Sequence, residues 1–228
     1  MKSRDFSWDL LGRSPKLQGL NIGSHDLEIL QGVCEGWQRP GSGIPPRIVL
    51  MPKEPAEFVR GLVLANRLAQ RFPLWLFLGN PHWAIAEQQQ VIEQVQPHQI
   101  WSDRHNPWRS EVISQHPETV NGGKFLQENR SYIGISTGGS SGQMRFAMHT
   151  WDSLGSAVDG FCNYFGDALD QGRVHSFCTL PLFHVSGLMQ LLRCVWSGGV
   201  FQWGRLPKPS TQDFDPLAWQ TADNSSPS

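Results

Sequence analysis

The sequence predicts an α/β fold built mostly on parallel strands. Short apolar runs alternate with segments whose apolar residues recur at helical spacing, in the order strand, helix, strand, helix. One run, residues 73–78, is apolar at every position, which is typical of a strand buried on both faces of a sheet. Together, the alternation and the buried strand favour parallel strands joined by crossover helices.

The elements of this alternation begin at Arg47. Residues 47–51 form a short apolar run, and Pro55 stands where the first turn of a helix tolerates proline. A helix is predicted over about 55–71, because apolar residues recur there at helical spacing. Further along, the pattern predicts a strand over 73–78, a helix over about 83–95, a strand over 99–101 and irregular polar chain over 102–130.

Composition excludes several classes of function. A chain of 228 residues can bury a substantial core, and 19 basic against 20 acidic residues leave a formal net charge of −1. This balance offers no electrostatic footprint for nucleic acid or an anionic membrane. The N-terminus lacks the apolar core of a signal peptide, and no apolar run approaches the ~18 residues of a membrane span. We therefore expect a cytoplasmic protein without nucleic-acid or membrane partners.

The four cysteines are expected to be reduced thiols. They lie far apart and form no C-x-x-C pair, at positions Cys34, Cys162, Cys178 and Cys194. Such spacing suits buried thiols better than a disulfide framework or a zinc site. We expect no metal ligands in the chain.

Residues 136–145, Ser-Thr-Gly-Gly-Ser-Ser-Gly-Gln-Met-Arg, are the most informative stretch. A strand containing Tyr132, Ile133 and Ile135 leads into them. Glycine lets backbone N–H groups converge on an anion, hydroxyl groups add donors, and Arg145 adds a fixed positive charge. The stretch is therefore predicted to cradle phosphate, with a flexible Gly/Ser linker as the alternative.

Sharper interpretations of this stretch compete. Neither the Walker A pattern nor the Rossmann pattern G-x-G-x-x-G occurs here. Residues 138–142 do match G-x-S-x-G, the nucleophile elbow of α/β-hydrolases, with Ser140 as nucleophile. Its partners would be His175 or His184 as base and Asp159, Asp167 or Asp170 as orienter. An elbow continues into a helix, however, whereas the side chains after it, at Met144, Phe146 and Met148, follow a period of two that predicts a strand and hence a hairpin.

The segment after this hairpin repeats the α/β pattern. In chain order we predict Thr150 as the N-cap of a helix over about 151–169, a strand over 174–180, a turn over 181–187 and a helix over about 187–197. Ligands gather at the C-terminal ends of strands in an open α/β sheet. If both strands share one sheet, the loop at 136–145 and the turn around His184 should flank one ligand site. His184 is then either a packing residue or a polar contact in that site.

Two segments resemble the adenylate-forming enzymes, the superfamily of acyl-CoA synthetases, luciferases and peptide-synthetase adenylation domains. Residues 136–145 look like their signature loop, and residues 180–188, Leu-Pro-Leu-Phe-His-Val-Ser-Gly-Leu, look like their next conserved segment. Together with residues 79–83 and 188–193, these segments are most similar in sequence to the cyanobacterial type of 2-succinylbenzoate-CoA ligase, which serves phylloquinone and menaquinone synthesis. The resemblance implies the N-terminal part of the large ligase domain, with mostly parallel sheets flanked by helices.

The resemblance also implies a reaction and a set of site residues. A carboxylate attacks the α-phosphorus of ATP with Mg²⁺ present, and CoA then displaces AMP from the acyl-adenylate. The β- and γ-phosphates would be bound by Ser136, Thr137, Gly138, Gly139, Ser140, Ser141 and Gly142. Arg145 would stand where the family usually has Lys, and Met144 where it usually has Pro. His184, Ser186 and Gly187 would contact the acid.

The resemblance covers only part of a family member. The adenine pocket, the ribose-binding Asp and the C-terminal catalytic Lys have no counterpart here, so no catalytic residue is assigned. We expect an N-terminal irregular or helical segment over 1–47, a partial adenylation domain over 48–206 and a disordered tail over 207–228. Such a fragment is expected to be inactive alone and to self-associate through surface that the rest of the fold would cover.

Overall fold

The computed structural model describes residues 17–20, 22–37, 45–103, 127–137 and 144–204. Strands and helices alternate along these residues as predicted. In chain order they are β1 (Leu17–Gln18), α1 (Ser24–Gly36), β2 (Arg47–Leu50), α2 (Pro55–Arg71), β3 (Trp75–Leu78), α3 (Ile85–Val95), β4 (Gln99–Trp101), β5 (Tyr132–Thr137), β6 (Arg145–His149), α4 (Trp151–Tyr164), β7 (Ser176–Cys178), α5 (Val185–Ser197) and β8 (Phe201–Trp203).

A five-stranded sheet forms the centre of the fold, in the order β4-β2-β3-β5-β6. Its first four strands are parallel, and only β6 runs antiparallel, beside β5. Leu50, Leu78 and Ile135 lie side by side across β2, β3 and β5. The C-terminal ends of these strands therefore meet at one edge of the sheet. Every residue of β2 and β3 is buried, which confirms the strand predicted to be covered on both faces.

Helix α2 covers one face of this sheet and has the bounds that the sequence predicts. Pro55 occupies its first turn, where the missing N–H is not needed. Its apolar stripe, which includes Phe58, Leu62 and Leu68, is at most 2% exposed. Burying each such side chain stabilises the fold by about 1.5–3 kcal/mol. The helix thus anchors the sheet whose C-terminal edge carries the candidate site.

A second, three-stranded parallel sheet has the order β1-β8-β7. Strand β7 therefore does not share a sheet with β5. The prediction that the loop at 136–145 and the turn around His184 flank one ligand site required a shared sheet, and this condition is not met. The antiparallel strand β6 occupies the edge of the central sheet next to β5, so β7 pairs with β8 instead. The strand predicted over 174–180 is also shorter, because Val174 N–H donates to Ser197 Oγ rather than to a neighbouring strand.

Helices α4 and α5 pack together in opposite directions. Gly155 faces Trp196 and Phe161 faces Arg193, whose guanidinium carbon lies 4.0 Å from the ring centroid. The predicted N-cap is confirmed, since Thr150 Oγ1 accepts the Ser153 N–H at 3.1 Å. Helix α4 ends earlier than the predicted residue 169, and a 3-10 turn at Gly166–Ala168 follows it. Helix α5 begins two residues before the predicted start.

All four cysteines are free thiols, as the sequence predicts. Burial, together with a smaller effect of the neighbouring Cys178, raises the pKa of Cys194 to about 12. Burial also raises the pKa of Cys34, Cys162 and Cys178. These thiols are therefore protonated at neutral pH and act as packing residues. In the described part of the chain, no helix has both the length and the apolar character needed to cross a membrane.

Candidate functional site

The strands on either side of the glycine-rich stretch pair as a β-hairpin. Thr137, the last residue of β5, pairs with Arg145, the first residue of β6, and its Oγ1 donates to the Arg145 carbonyl at 3.4 Å. The predicted hairpin is confirmed. The α/β-hydrolase alternative is wrong in its structural context, because residues 145–149 form a strand where a nucleophile elbow requires a helix.

Part of the predicted phosphate site lies in this hairpin and part lies outside the described residues. Ser136 and Thr137 end β5, and Arg145 is exposed at the start of β6. The predicted residues Gly138, Gly139, Ser140, Ser141 and Gly142 fall outside the described part of the chain. Because β5 lies beside β3 in parallel register, β5 ends and β6 begins at the same edge of the sheet as the loops that follow β2 and β3.

A pocket of about 380 Å³ opens at the C-terminal ends of strands from both sheets. Residues of α2, of β8 and of the loops after β2, β3, β7 and β8 line it, namely Pro52, Lys53, Pro55, Phe58, His82, Thr179, Pro181, Leu182, Phe183, Trp203 and Gly204. The loops after β2 and β3 supply one wall, and the segments at the ends of β7 and β8 supply the other. The two sheets therefore build one concave site at their strand ends, the usual place for a ligand in an α/β fold.

Two ionisable side chains line this pocket, Lys53 and His82. The backbone that carries Lys53 is held by Asp103, whose carboxylate accepts the Lys53 N–H at 3.0 and 3.1 Å and the Glu54 N–H at 3.2 Å. The backbone N–H of His82 donates to Asn80 Oδ1 at 2.8 Å. The pocket thus combines aromatic and aliphatic walls with one ammonium and one imidazole on a rim that backbone hydrogen bonds hold in place.

The predicted acid-binding residues lie beside this pocket but do not line it. His184 is exposed at the N-cap of α5, with its ring 4.6 Å from that of Phe183. Ser186 is also exposed. Gly187 is buried, and a Cβ there would lie 2.3 Å from the Pro181 carbonyl oxygen, so it lets the helix pack closely against the pocket wall. The lining residues of this segment are Pro181, Leu182 and Phe183.

Sequence reasoning missed Lys53, His82 and Trp203. A usable signal was present, since each lies at or just after the end of a parallel strand. Identifying them required knowing that the strand ends of both sheets line one pocket. The periodicity of single segments does not carry that information.

Three comparisons with known proteins bear on this geometry. No protein-family model matches the chain, and no curated protein sequence is significantly similar to it. Solved structures do match. O-succinylbenzoate coenzyme A synthetase from Bacillus subtilis, in complex with AMP, superposes with a TM-score of 0.59 and 15% identity, over 89% of this chain and 56% of that chain. A putative long-chain-fatty-acid CoA ligase from Rhodopseudomonas palustris gives 0.59 and 18%, over 88% and 57%.

A third match widens the group. The luciferase-like enzyme of the mealworm Zophobas morio gives a TM-score of 0.60 at 11% identity, over 88% of this chain and 53% of that chain. The chain has the fold of the adenylate-forming ligases. The α/β architecture predicted as the N-terminal part of the ligase domain is thereby confirmed, and the chain spans just over half the length of the first-matched ligases. At these identities the likeness concerns the fold.

Proposed function

We propose that this chain forms the N-terminal part of an AMP-forming acid–CoA ligase that activates an aromatic carboxylate, 2-succinylbenzoate, in menaquinone or phylloquinone synthesis. The observation that carries the proposal is the position of Thr137 and Arg145, the residues that end β5 and begin β6 on either side of the glycine-rich stretch. They lie at the strand edge where the 380 Å³ pocket opens. A phosphate-binding turn beside an apolar pocket is what a reaction between ATP and an organic acid requires.

In this proposal the hairpin turn binds the ATP phosphates. Ser136 and Thr137 lead into the turn and Arg145 leaves it, so hydroxyl groups, backbone N–H groups and one cation surround the β- and γ-phosphates. Charge develops on the leaving pyrophosphate, and these donors stabilise it as it forms. Among the described residues no group of three His, Cys, Asp or Glu side chains could hold a metal. In the proposed reaction magnesium enters as ATP·Mg²⁺, ligated by the phosphate oxygens.

The reaction proceeds in two steps. A carboxylate oxygen of the acid attacks the α-phosphorus, the bond to the bridging oxygen breaks, and pyrophosphate leaves. The CoA thiol then attacks the acyl carbon and loses its proton, and AMP leaves from the acyl-adenylate. The first step needs in-line placement of the acid and the α-phosphate, which a turn and a pocket at one sheet edge provide.

The pocket holds the organic co-substrate of this reaction. Phe58, Phe183 and Trp203 offer apolar surface, and Lys53 offers positive charge. An aromatic acid fits this chemistry with its apolar ring and its carboxylate, and the uncharged thiol-bearing arm of CoA is the other candidate for the apolar walls. His184, Ser186 and Gly187 act from the neighbouring helix start, with Gly187 setting the position of the pocket wall.

We propose the partial adenylation domain over 48–206, preceded by the segment 1–47 and followed by a tail over 207–228. The chain alone is then expected to bind phosphates without turning over. Steady formation of CoA thioester by purified residues 1–228 would contradict this part of the proposal.

Calorimetry with inorganic tripolyphosphate and Mg²⁺ tests the phosphate site without adenine or ribose contacts. We expect binding by the wild-type chain, a loss of about tenfold or more in affinity for Arg145→Ala, and recovery by Arg145→Lys. Arg173→Ala, at an exposed turn, is the matched control and should bind as the wild type does. Absence of binding, or equal binding by all four chains, would refute the site.

Parallel titrations with 2-succinylbenzoate and with CoA separate the two occupants of the pocket. Lys53→Ala should weaken whichever ligand binds, because the side chain is lost while the backbone contact with Asp103 is kept. Binding of 2-succinylbenzoate but not of benzoate would support the proposed acid. Binding of CoA alone would assign the pocket to the acceptor thiol.

A second candidate function is a non-catalytic binding fragment that self-associates. Exposed apolar side chains near the end of the described chain favour it: Phe177 is 43% exposed, Leu180 40% and Val185 52%. Strand β7, which carries Phe177, is an edge strand of the second sheet. Light scattering should then give a dimer mass that Phe177→Ser reduces to a monomer. Ile85→Ser, on exposed α3, is the control, and a monomeric wild type would exclude this candidate.

A further inference from the structure

Arg47 is a buried arginine at the N-terminal end of a central strand, the end opposite to the candidate site. It is the first residue of β2 and only 3% exposed. Alternation along the strand places its side chain on the same face as Val49, where Trp75, Phe77, Val91 and Val95 form an apolar cluster. A charged group thus lies within apolar surroundings, far from the strand ends that form the pocket.

The other buried polar residues of the described chain have partners. Glu57 accepts from Arg60 at 3.1 Å, and Asn66 accepts from Gln70 at 3.5 Å. His98 Nδ1 accepts the backbone N–H of Arg47 at 3.1 Å. The Arg47 side chain differs from them, because its Nε and Nη2 are fully buried and have no hydrogen-bond partner among the described residues.

Leaving these donors unpaired is costly. Burial lowers the pKa of Arg47, but an arginine side chain does not lose its proton in proteins. The site therefore contains a positive charge, and a buried charge requires a counter-charge and hydrogen-bond acceptors. Helix α3, whose Val91 and Val95 pack in this cluster, carries two carboxylates, and both are exposed: Glu87 accepts the Ala84 N–H at 2.8 Å, and Glu93 lies at the surface.

The positions of the two unpaired nitrogens define the missing acceptor. Nε–H and Nη2–H lie on the same edge of the planar guanidinium and point in parallel, which matches two oxygens of one oxyanion. A monatomic anion can accept a well-aligned hydrogen bond from only one of these two N–H groups. We propose that Arg47 holds a small oxyanion, of the carboxylate or phosphate type, in a structural site at the N-terminal edge of the central sheet.

Equilibrium thermal unfolding tests this site, because unfolding gives the ion access to it. Melting temperatures are measured in acetate and in inorganic phosphate against chloride at constant ionic strength. We expect the oxyanions to raise the wild-type melting temperature by about 2–4 °C relative to chloride. Arg47→Lys keeps the charge but loses the two-pronged edge, so the oxyanions should raise its melting temperature by less than they raise that of the wild type. Arg173→Lys, an exposed control, should show the full wild-type increase.

Oxyanion binding at the hairpin turn and general salt effects on the melting temperature both persist in Arg47→Lys. The difference between this variant and the wild type therefore reports on the Arg47 site alone. An equal oxyanion effect in wild type and Arg47→Lys would overturn the proposal. If that variant does not fold, ¹⁵N-arginine spectra of the wild type decide. A buried Nε–H resonance that shifts on replacing chloride with acetate or phosphate supports the site, and resonances that all stay unchanged refute it.

Discussion

Replacement of Gly187 by alanine tests how α5 positions the pocket wall. An added Cβ would lie 2.3 Å from the Pro181 carbonyl oxygen and 2.9 Å from that of Leu180. Both contacts are with backbone, which cannot turn aside as a side chain can, so the segment that lines the pocket must move. Overpacking of this kind costs about 1–3 kcal/mol, and the better helix propensity of alanine offsets about 1 kcal/mol at most.

We therefore expect Gly187→Ala to destabilise the chain by about 1–2 kcal/mol, which lowers the melting temperature by about 2–8 °C. Urea titration followed by circular dichroism measures the free energy of unfolding. Gly160→Ala, inside α4, is the matched control, because nothing lies within 4 Å of its added Cβ. That change should stabilise by about 0.5–1 kcal/mol. Equal effects of the two substitutions, or a stabilising Gly187→Ala, would refute the packing argument.

Three further predictions concern the groups around the sheet edges. Asp103→Ala should destabilise the fold by about 1–2 kcal/mol, because the backbone N–H groups of Lys53 and Glu54, just before α2, lose their charged acceptor. Asp103→Asn keeps an acceptor oxygen and should cost less. Burial tends to raise the pKa of Asp26, but the Gly23 N–H and the Arg60 guanidinium outweigh it and lower the pKa. Asp26 thus stabilises the fold above the unfolded pKa of about 3.9, so Asp26→Asn should cost about 1 kcal/mol at pH 7 and progressively less as the pH falls below 4. At pH 8, iodoacetamide should leave buried Cys194 unmodified in the native chain and alkylate it after denaturation.

Each of these predictions has a defined contrary result. Equal stabilities of the Asp103 variants and the wild type would show that the carboxylate does not hold the rim. A stability difference for Asp26→Asn that stays constant between pH 7 and pH 3 would contradict its lowered pKa. Mass-spectrometric detection of alkylated Cys194 in the folded chain would contradict its burial. Partly exposed Cys162 is the internal reference for reagent activity.

Local patterns predicted the elements of this fold well where one residue type forces the geometry. Pro55 fixed the start of α2, and the aromatic and proline residues after Arg71 ended it, so the predicted and observed bounds agree. The period of two after the glycine-rich stretch predicted β6 correctly, and with it the hairpin that excludes a nucleophile elbow. These signals work because they act within a single segment.

Features that depend on several segments could not be predicted in the same way. Strand β7 has only three residues, and its sequence does not specify whether it pairs with β5 or β8. The apolar spacing of α4 continues to Leu169, but Gly166 favours a 3-10 turn over a continued helix. The pocket is lined by residues at the strand ends of both sheets, so Lys53 and His82 became candidates through tertiary structure alone.

A crystal structure of the chain with ATP·Mg²⁺ tests the central claim most directly. The account predicts the triphosphate at the hairpin turn, with its β- and γ-phosphates within hydrogen-bonding distance of residues 136–145 and the Arg145 side chain beside them. The adenosine should lie on the side of the turn that faces the 380 Å³ pocket. A triphosphate bound elsewhere, with the turn contacting no phosphate oxygen, would contradict the account.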